Sequence, residues 1–469
     1  MKNNNLYIIA LLLILPVVIM LIPPPEGLTP VAWKIFAIYV SAILGLMLKP
    51  CPEPVVLLIA IAASSLIVGN LADILRAGYA NTITWLIFAA FSLGTALKTT
   101  NLGKRIAYLL MYRLGHSTLG MSYVIAFLDL ILAPVTPSNT ARGGGIVCPI
   151  VGNISSTLGS EPGPTGRKCG SYLMTSLYMI NQTTSSIFMT GMTANVMALP
   201  MYASILNVHI TWGTWLMASV VPGMLMLMLI PSVTYVLYTP ELKKIDGRSI
   251  AVKGLEELGP MKTSEKILCA IFSMALMGWI FGHHYRIDAG TVAIVAMALC
   301  LLTGIINWED VLSTKGGFCT LIWFGGILGL SGVLAGSGFF SWLANWMTGF
   351  IPSGIDGFTT LLVIVFLSVA IRYVFASATA YAASMIPVFL TVGLAAGTPP
   401  TALALAIAFS SGYAGKITHY GGAPAPIIYG TGYPEIKPWW IVGGVLAMLS
   451  YVVHMTVGVA WWRLLGLYY

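Results

Sequence analysis

Residues 134–145 read PVTPSNTARGGG: two prolines, then Ser138, Asn139 and Thr140, then Arg142 and three glycines, set between two apolar runs. In a bilayer, non-helical backbone survives only where it lines a cavity, because an unpartnered N–H or C=O is too costly in hydrocarbon. The polar break therefore predicts a helical hairpin that enters the membrane, turns halfway and leaves by the same face. Ser, Asn and Thr are strong N-caps, so the outgoing half-helix offers free N–H groups and a positive dipole end. Such an end suits a carboxylate or a phosphate. Residues 375–381, FASATAY, repeat the pattern, with Ser377, Ala378 and Thr379 lying 239 positions after the first triplet. Two such tips, one in each half, predict a midplane site for one small anion.

The rest of the chain agrees with a membrane setting. Of 469 residues, 58% are hydrophobic and 8% charged, which excludes a soluble globular domain. The fold class expected is an all-α polytopic membrane protein with about eleven transmembrane helices plus the two re-entrant hairpins, each apolar run being long enough to span. The net charge of +8 does not signal nucleic acid. Lys and Arg concentrate in loops of one face, among them Lys98, Lys104, Arg105, Arg113, Arg167, Lys168, Lys243, Lys244 and Arg248, and that bias marks the cytoplasmic side. Six cysteines lack Cys-x-x-Cys or Cys/His spacing, so neither disulfides nor a metal site is expected, and no cofactor.

In chain order, residues 1–30 form an N-terminal span, retained because no small-x-small cleavage site follows the apolar run. Residues 31–238 form a first repeat with its hairpin at 121–155. Residues 239–264, rich in both charges, form a cytoplasmic linker. Residues 265–469 form a second repeat with its hairpin at 358–394. Flat amphipathic stretches are expected at 101–115 and 339–349. Small and polar residues interrupt a span at 190–195 and another at 416–424. The stretch from Thr84 aligns with that from Leu321 at an offset of 237, close to that of the tips. Five spans between the halves make the second repeat inverted, with the N-terminus cytoplasmic and the C-terminus outside.

The motifs PVTPSNTARGGG, FASATAYAASMIP and HYGGAPAPIIYGTGY resemble the divalent anion/sodium symporter family. Within it they are most similar to bacterial antiporters exchanging citrate or tartrate for succinate and to oxoglutarate/malate translocators. The resemblance covers nearly the whole chain. It implies a homodimeric secondary transporter in the inner membrane, working as an elevator in which a transport domain of hairpins and broken spans slides against a scaffold. Ser138, Asn139 and Thr140 match the family's first Ser-Asn-Thr motif in full. The second matches as Ser377-Ala378-Thr379, with alanine where symporters carry asparagine, a departure that argues against sodium coupling. Thr193, Asn195 and Pro424 are expected to support the site from the two breaks.

Arg142 stands where the resembling symporters carry a small or hydroxylated residue. It has two compatible readings: a pair with Asp129 on the opposite hairpin arm, and a fixed charge in place of a bound cation. Lys416 and His419 fall in the second break, where the family's second sodium site would be framed. Lys416 either replaces that ion with a tethered charge or snorkels to the surface; His419 is a switch or a packing residue. Arg372 neutralises substrate or hydrogen-bonds nearby carbonyls. Gly143, Gly144 and Gly145 read as helix packing, and Thr183 to Ser186 as interhelical hydrogen-bonders. The function expected is exchange of C4 or C5 dicarboxylates (succinate, malate, fumarate, 2-oxoglutarate; citrate or tartrate in range) without sodium; the alternative is a sodium-coupled di/tricarboxylate symporter. An enzyme is excluded by the lack of a nucleophile or paired acids.

Overall fold

The computed structural model describes residues 3–348 and 356–469; the end of the second amphipathic stretch, at Gly349, lies outside them. Among the described residues the structure is helical, with no strand. Nine described helices are long and apolar enough to cross a bilayer, and Tyr7–Leu21, Glu53–Val68, Thr193–Leu206 and Ala289–Leu302 are shorter apolar helices. The protein is a multi-pass membrane protein. Three of the nine, Thr118–Val135, Gly357–Val374 and Ala378–Ala395, fall in the two stretches read as re-entrant hairpins, and other spans read from the sequence are divided into shorter helices where polar residues enter them. Large apolar side chains such as Leu66, Val236 and Leu302 point outward, which lipid accepts as readily as a protein interior does.

The first hairpin begins where the Ser117 hydroxyl accepts the Gly120 N–H at 2.9 Å. Its incoming arm, Thr118–Leu132, tightens into a 3₁₀ turn at Ala133–Val135, where Pro134 brings no N–H to the ladder. After the tip the chain widens into a π-helical stretch, Thr140–Val147, before the α-helix Cys148–Thr157. The second hairpin starts at Asp356, whose carboxylate accepts the N–H groups of Phe358 and Thr359. Its arms are Gly357–Ile371, ending in the 3₁₀ turn Arg372–Val374, and Ala378–Ala395.

Between the hairpins run two interrupted helices. Gly170–Ile187 is buried along its entire length, breaks at the 3₁₀ turn Met189–Gly191, and resumes as Thr193–Leu206. Pro400–Tyr413 breaks at Ala414–Lys416 and resumes as the short helix Ala425–Tyr429. A helix buried on all sides must satisfy its polar side chains internally, and these two carry Asn181, Gln182, Thr183, Thr184, Ser185, Ser410 and Ser411 inside.

Two features were not read from the sequence. Leu71–Gly78 is a separate helix packed on Lys315–Gly336; a Cβ at Gly78 would sit 1.9 Å from the Gly325 carbonyl oxygen, so only glycine permits the approach. The charged segment 239–264 contains the helix Gly247–Leu258, which packs on Leu102–Leu114. Arg105 fastens the same corner, its Nε 2.7 Å from the Glu265 carboxylate.

Candidate functional site

The two tips line one cavity of about 560 Å³. Ser138, Asn139 and Thr140 form one wall and Ser377, Ala378 and Thr379 another, with Thr193 and Ala194 from the first break and Ala423 and Pro426 near the second. All six triplet residues are half-buried. Their caps match: the Ser138 Oγ accepts the Ala141 N–H at 3.1 Å, and the Ser377 Oγ accepts the Ala380 N–H at 3.3 Å. In this role a serine uses a lone pair and keeps its O–H to donate elsewhere. Ser377 shares a hydrogen bond of 2.9 Å with Thr379. The cavity wall thus offers hydroxyl and amide donors at helix starts, the chemistry that binds a carboxylate.

The supporting residues divide. Thr193 lines the cavity and its hydroxyl donates to the Pro137 carbonyl at 3.5 Å, tying the first tip to the first break. Asn195 turns away from the cavity; its amide donates to the carbonyls of Ser185 at 2.7 Å and Phe188 at 3.1 Å, across the break itself. Pro424 caps the helix Ala425–Tyr429 and leaves the lining to its neighbours Ala423 and Pro426.

Arg142 is fully buried and does not line the cavity. Its Nε lies 3.1 Å from Asp129 Oδ1, its Nη1 donates to the carbonyls of Thr136 at 2.8 Å and Gly191 at 2.9 Å, and its Nη2 donates to Ser185 Oγ at 2.8 Å. Asp129 also accepts from the Asn181 amide at 3.2 Å and from the Thr184 hydroxyl. The pair with Asp129 is present in the geometry, and the pair is neutral overall. Gly143 belongs to this knot, since a Cβ there would meet the Asn181 amide at 2.7 Å.

Arg372 occupies the corresponding place at the second tip. Its Nη1 donates to the Phe375 carbonyl at 2.6 Å and its Nη2 to the Gly421 carbonyl, so it joins tip to break as Arg142 does. In both cases the glycine carbonyl lies 49 residues further along the chain. The Tyr381 ring faces the guanidinium at 5.4 Å. Among the described residues no carboxylate pairs with Arg372 and its Nε–H has no partner.

Neither Lys416 nor His419 lines the main cavity. Lys416 is fully buried rather than snorkelling, and its Nζ donates to Ser450 Oγ at 2.8 Å in a small void beside Tyr413 and His454, apart from the main cavity. A four-carbon stem carries the ammonium back against Ile436–Val453, so the break lies beside Lys416 without being filled by it. His419 accepts the Trp440 indole N–H at 3.0 Å on Nδ1 and packs among Tyr420, Tyr429 and Trp440. That is a packing histidine. Of the run 183–186, Thr184 and Ser185 bond across to the hairpin, while Thr183 and Ser186 bond back to their own helix.

The arrangement can hold an anion between the two tips, and comparisons with known proteins point to transporters. The family model described as the sodium:sulfate symporter transmembrane region matches residues 2–468. The chain is 52% identical to inner membrane protein YbhI of Escherichia coli strain K12, with 94% of each chain covered. It is 34% identical to the L-tartrate/succinate antiporter of Shigella sonnei, over 93% of this chain and 94% of that one. It is also 34% identical to the chloroplastic dicarboxylate transporter 1 of Arabidopsis thaliana, over 95% of this chain and 80% of that one. Among solved structures, MtrF of Neisseria gonorrhoeae superposes with a TM-score of 0.59 at 13% identity, covering 97% of this chain and 94% of that one, a likeness of fold alone. The chain belongs to the divalent anion/sodium symporter family of membrane transporters, not to the enzymes.

Proposed function

We propose that the chain is an antiporter exchanging C4 or C5 dicarboxylates (succinate, malate, fumarate or 2-oxoglutarate, with citrate or tartrate in range) by an elevator motion without sodium. The observation that carries the reading is the placement of Arg142 and Arg372 on the carbonyls that join each tip to its break. Sodium needs such oxygens as ligands, and a guanidinium donating to them sets a fixed positive charge beside them that repels the ion. The names of the tartrate/succinate and dicarboxylate relatives supply the substrate class.

The same placement gives a reason for obligatory exchange. A cation taken from solution leaves with the substrate, whereas Arg372 remains, and among the described residues no carboxylate pairs with it. The guanidinium is already buried, so the cost falls on the unloaded domain as an unbalanced positive charge crossing an apolar barrier. A bound dianion removes the penalty by supplying the opposite charge. In this reading hairpins 121–155 and 358–394, together with the broken helices, form the moving domain of a homodimer in the inner membrane, with the N-terminus cytoplasmic and the C-terminus outside.

The test is counterflow in proteoliposomes with a panel of dicarboxylates, with and without sodium. Uptake should require internal dicarboxylate and be indifferent to sodium. Sodium-driven uphill uptake into vesicles holding no dicarboxylate would overturn the exchange mechanism and favour the symporter.

A further inference from the structure

The cavity lining holds two charged side chains, and both come from one corner outside the hairpins and breaks: Lys49 and Glu53. Arg142, Arg372 and Lys416 contribute no surface to it. Lys49 ends the helix Pro30–Leu48 in a left-handed conformation, φ 47°, with its N–H on the Gly45 carbonyl at 3.0 Å. Glu53 opens the helix Glu53–Val68. A lysine at a helix C-terminus and a glutamate at an N-terminus each sit where the dipole favours their charge. Pro50 and Pro52 restrict the connecting backbone. Lys49 Nζ and Glu53 Oε1 meet at 2.9 Å, with the two side chains 52% and 31% exposed.

We propose that this pair is a one-sided electrostatic gate: an entering dicarboxylate takes Lys49 from Glu53 on its way to the tips. The inference rests on the dicarboxylate reading above and adds the residue that sets affinity at one membrane face. Paired, the corner presents no net charge, while the Glu53 carboxylate repels an approaching dianion. An ammonium has three donors and swings on a flexible stem, so it can exchange one carboxylate for another without moving the backbone. Lys49 ends one helix and Glu53 begins the next, so both lie at a single face. The opposite face has no share in the exchange.

The experiment measures the half-saturation concentration for succinate at each face in oriented proteoliposomes, for wild type, E53Q and K49Q. Wild-type exchange is established first, so a failure of the dicarboxylate reading is seen before any variant is compared. At one face E53Q should lower the half-saturation concentration about two- to fivefold and K49Q should raise it about as much, the size expected of an exposed pair. Both shifts should shrink in high salt. Values at the other face should not move. A corner that only stiffens the protein loses the same ion pair in either variant, so shifts of one sign in both, or equal shifts at both faces, would overturn the gate.

Discussion

The two tips solve one geometric problem with different charge balances. At each, a serine caps the outgoing helix and an arginine joins the tip to a glycine carbonyl of the neighbouring break. At the first tip the arginine is answered by Asp129, Thr184, Ser185 and the Thr136 carbonyl, and every N–H of its fork has a direction to point. At the second, Arg372 has two carbonyls, an aromatic face and no carboxylate. The first tip is therefore held as a neutral structural knot. The second carries a charge with no carboxylate partner among the described residues, which the proposed exchange balances with the substrate.

The strongest way to break the comparison is to make the first tip resemble the second. D129N preserves size and leaves Arg142 buried without its counter-charge, and removing one partner of a buried pair costs about 3–5 kcal/mol. D129N should lower the melting temperature sharply in detergent, and the double variant D129N/R142Q should recover much of the loss. Additive losses would mean that the two residues do not act as a pair.

The converse change removes the unbalanced cation. R372Q breaks no ion pair, so its stability loss should be that of rearranged hydrogen bonds, about 1–3 kcal/mol, and its main effect should be on coupling. With no charge left behind, the unloaded domain should return more readily. Exchange should fall about tenfold or more, while efflux into dicarboxylate-free buffer, relative to exchange, should rise. The ratio of homoexchange to net efflux reads this directly, and an unchanged ratio would show that Arg372 plays no part in coupling.

Much of this was legible in the sequence. Apolar runs broken by SNT and SAT fixed where the chain turns, because lipid tolerates so few reasons for a polar break. The Arg142–Asp129 pair could be foreseen, Asp129 being a carboxylate deep in an apolar stretch. What the sequence could not show was direction. Lys416 sits in the break by number, yet its side chain runs away toward Ser450. Arg372 lies in an apolar run ahead of its tip, yet a 3₁₀ turn swings it onto Phe375 and Gly421. A wide π-helical turn likewise aims Arg142 inward, and such turns leave little sequence signal. Leu71–Gly78 was missed because eight residues are too few for periodicity to declare a helix.

The finest contrast lies in the hydroxyls that face the cavity. Ser377 has the Thr379 hydroxyl beside it at 2.9 Å, so in S377A a second O–H remains close to the place of the first. Ser138 accepts the Ala141 N–H as Ser377 accepts the Ala380 N–H, but among the described residues no second hydroxyl bonds to it, so S138A removes its donor with none in its place. A lost hydrogen bond to the anion costs about 1 kcal/mol, which corresponds to roughly fivefold in affinity. S138A should therefore raise the half-saturation concentration for succinate about fivefold, and S377A about twofold. The double variant S377A/T379V should bring the second tip down to the level of the first, since it removes the spare hydroxyl. If S377A alone already matched S138A, Thr379 could not be standing in, and the two tips would bind the anion as equals.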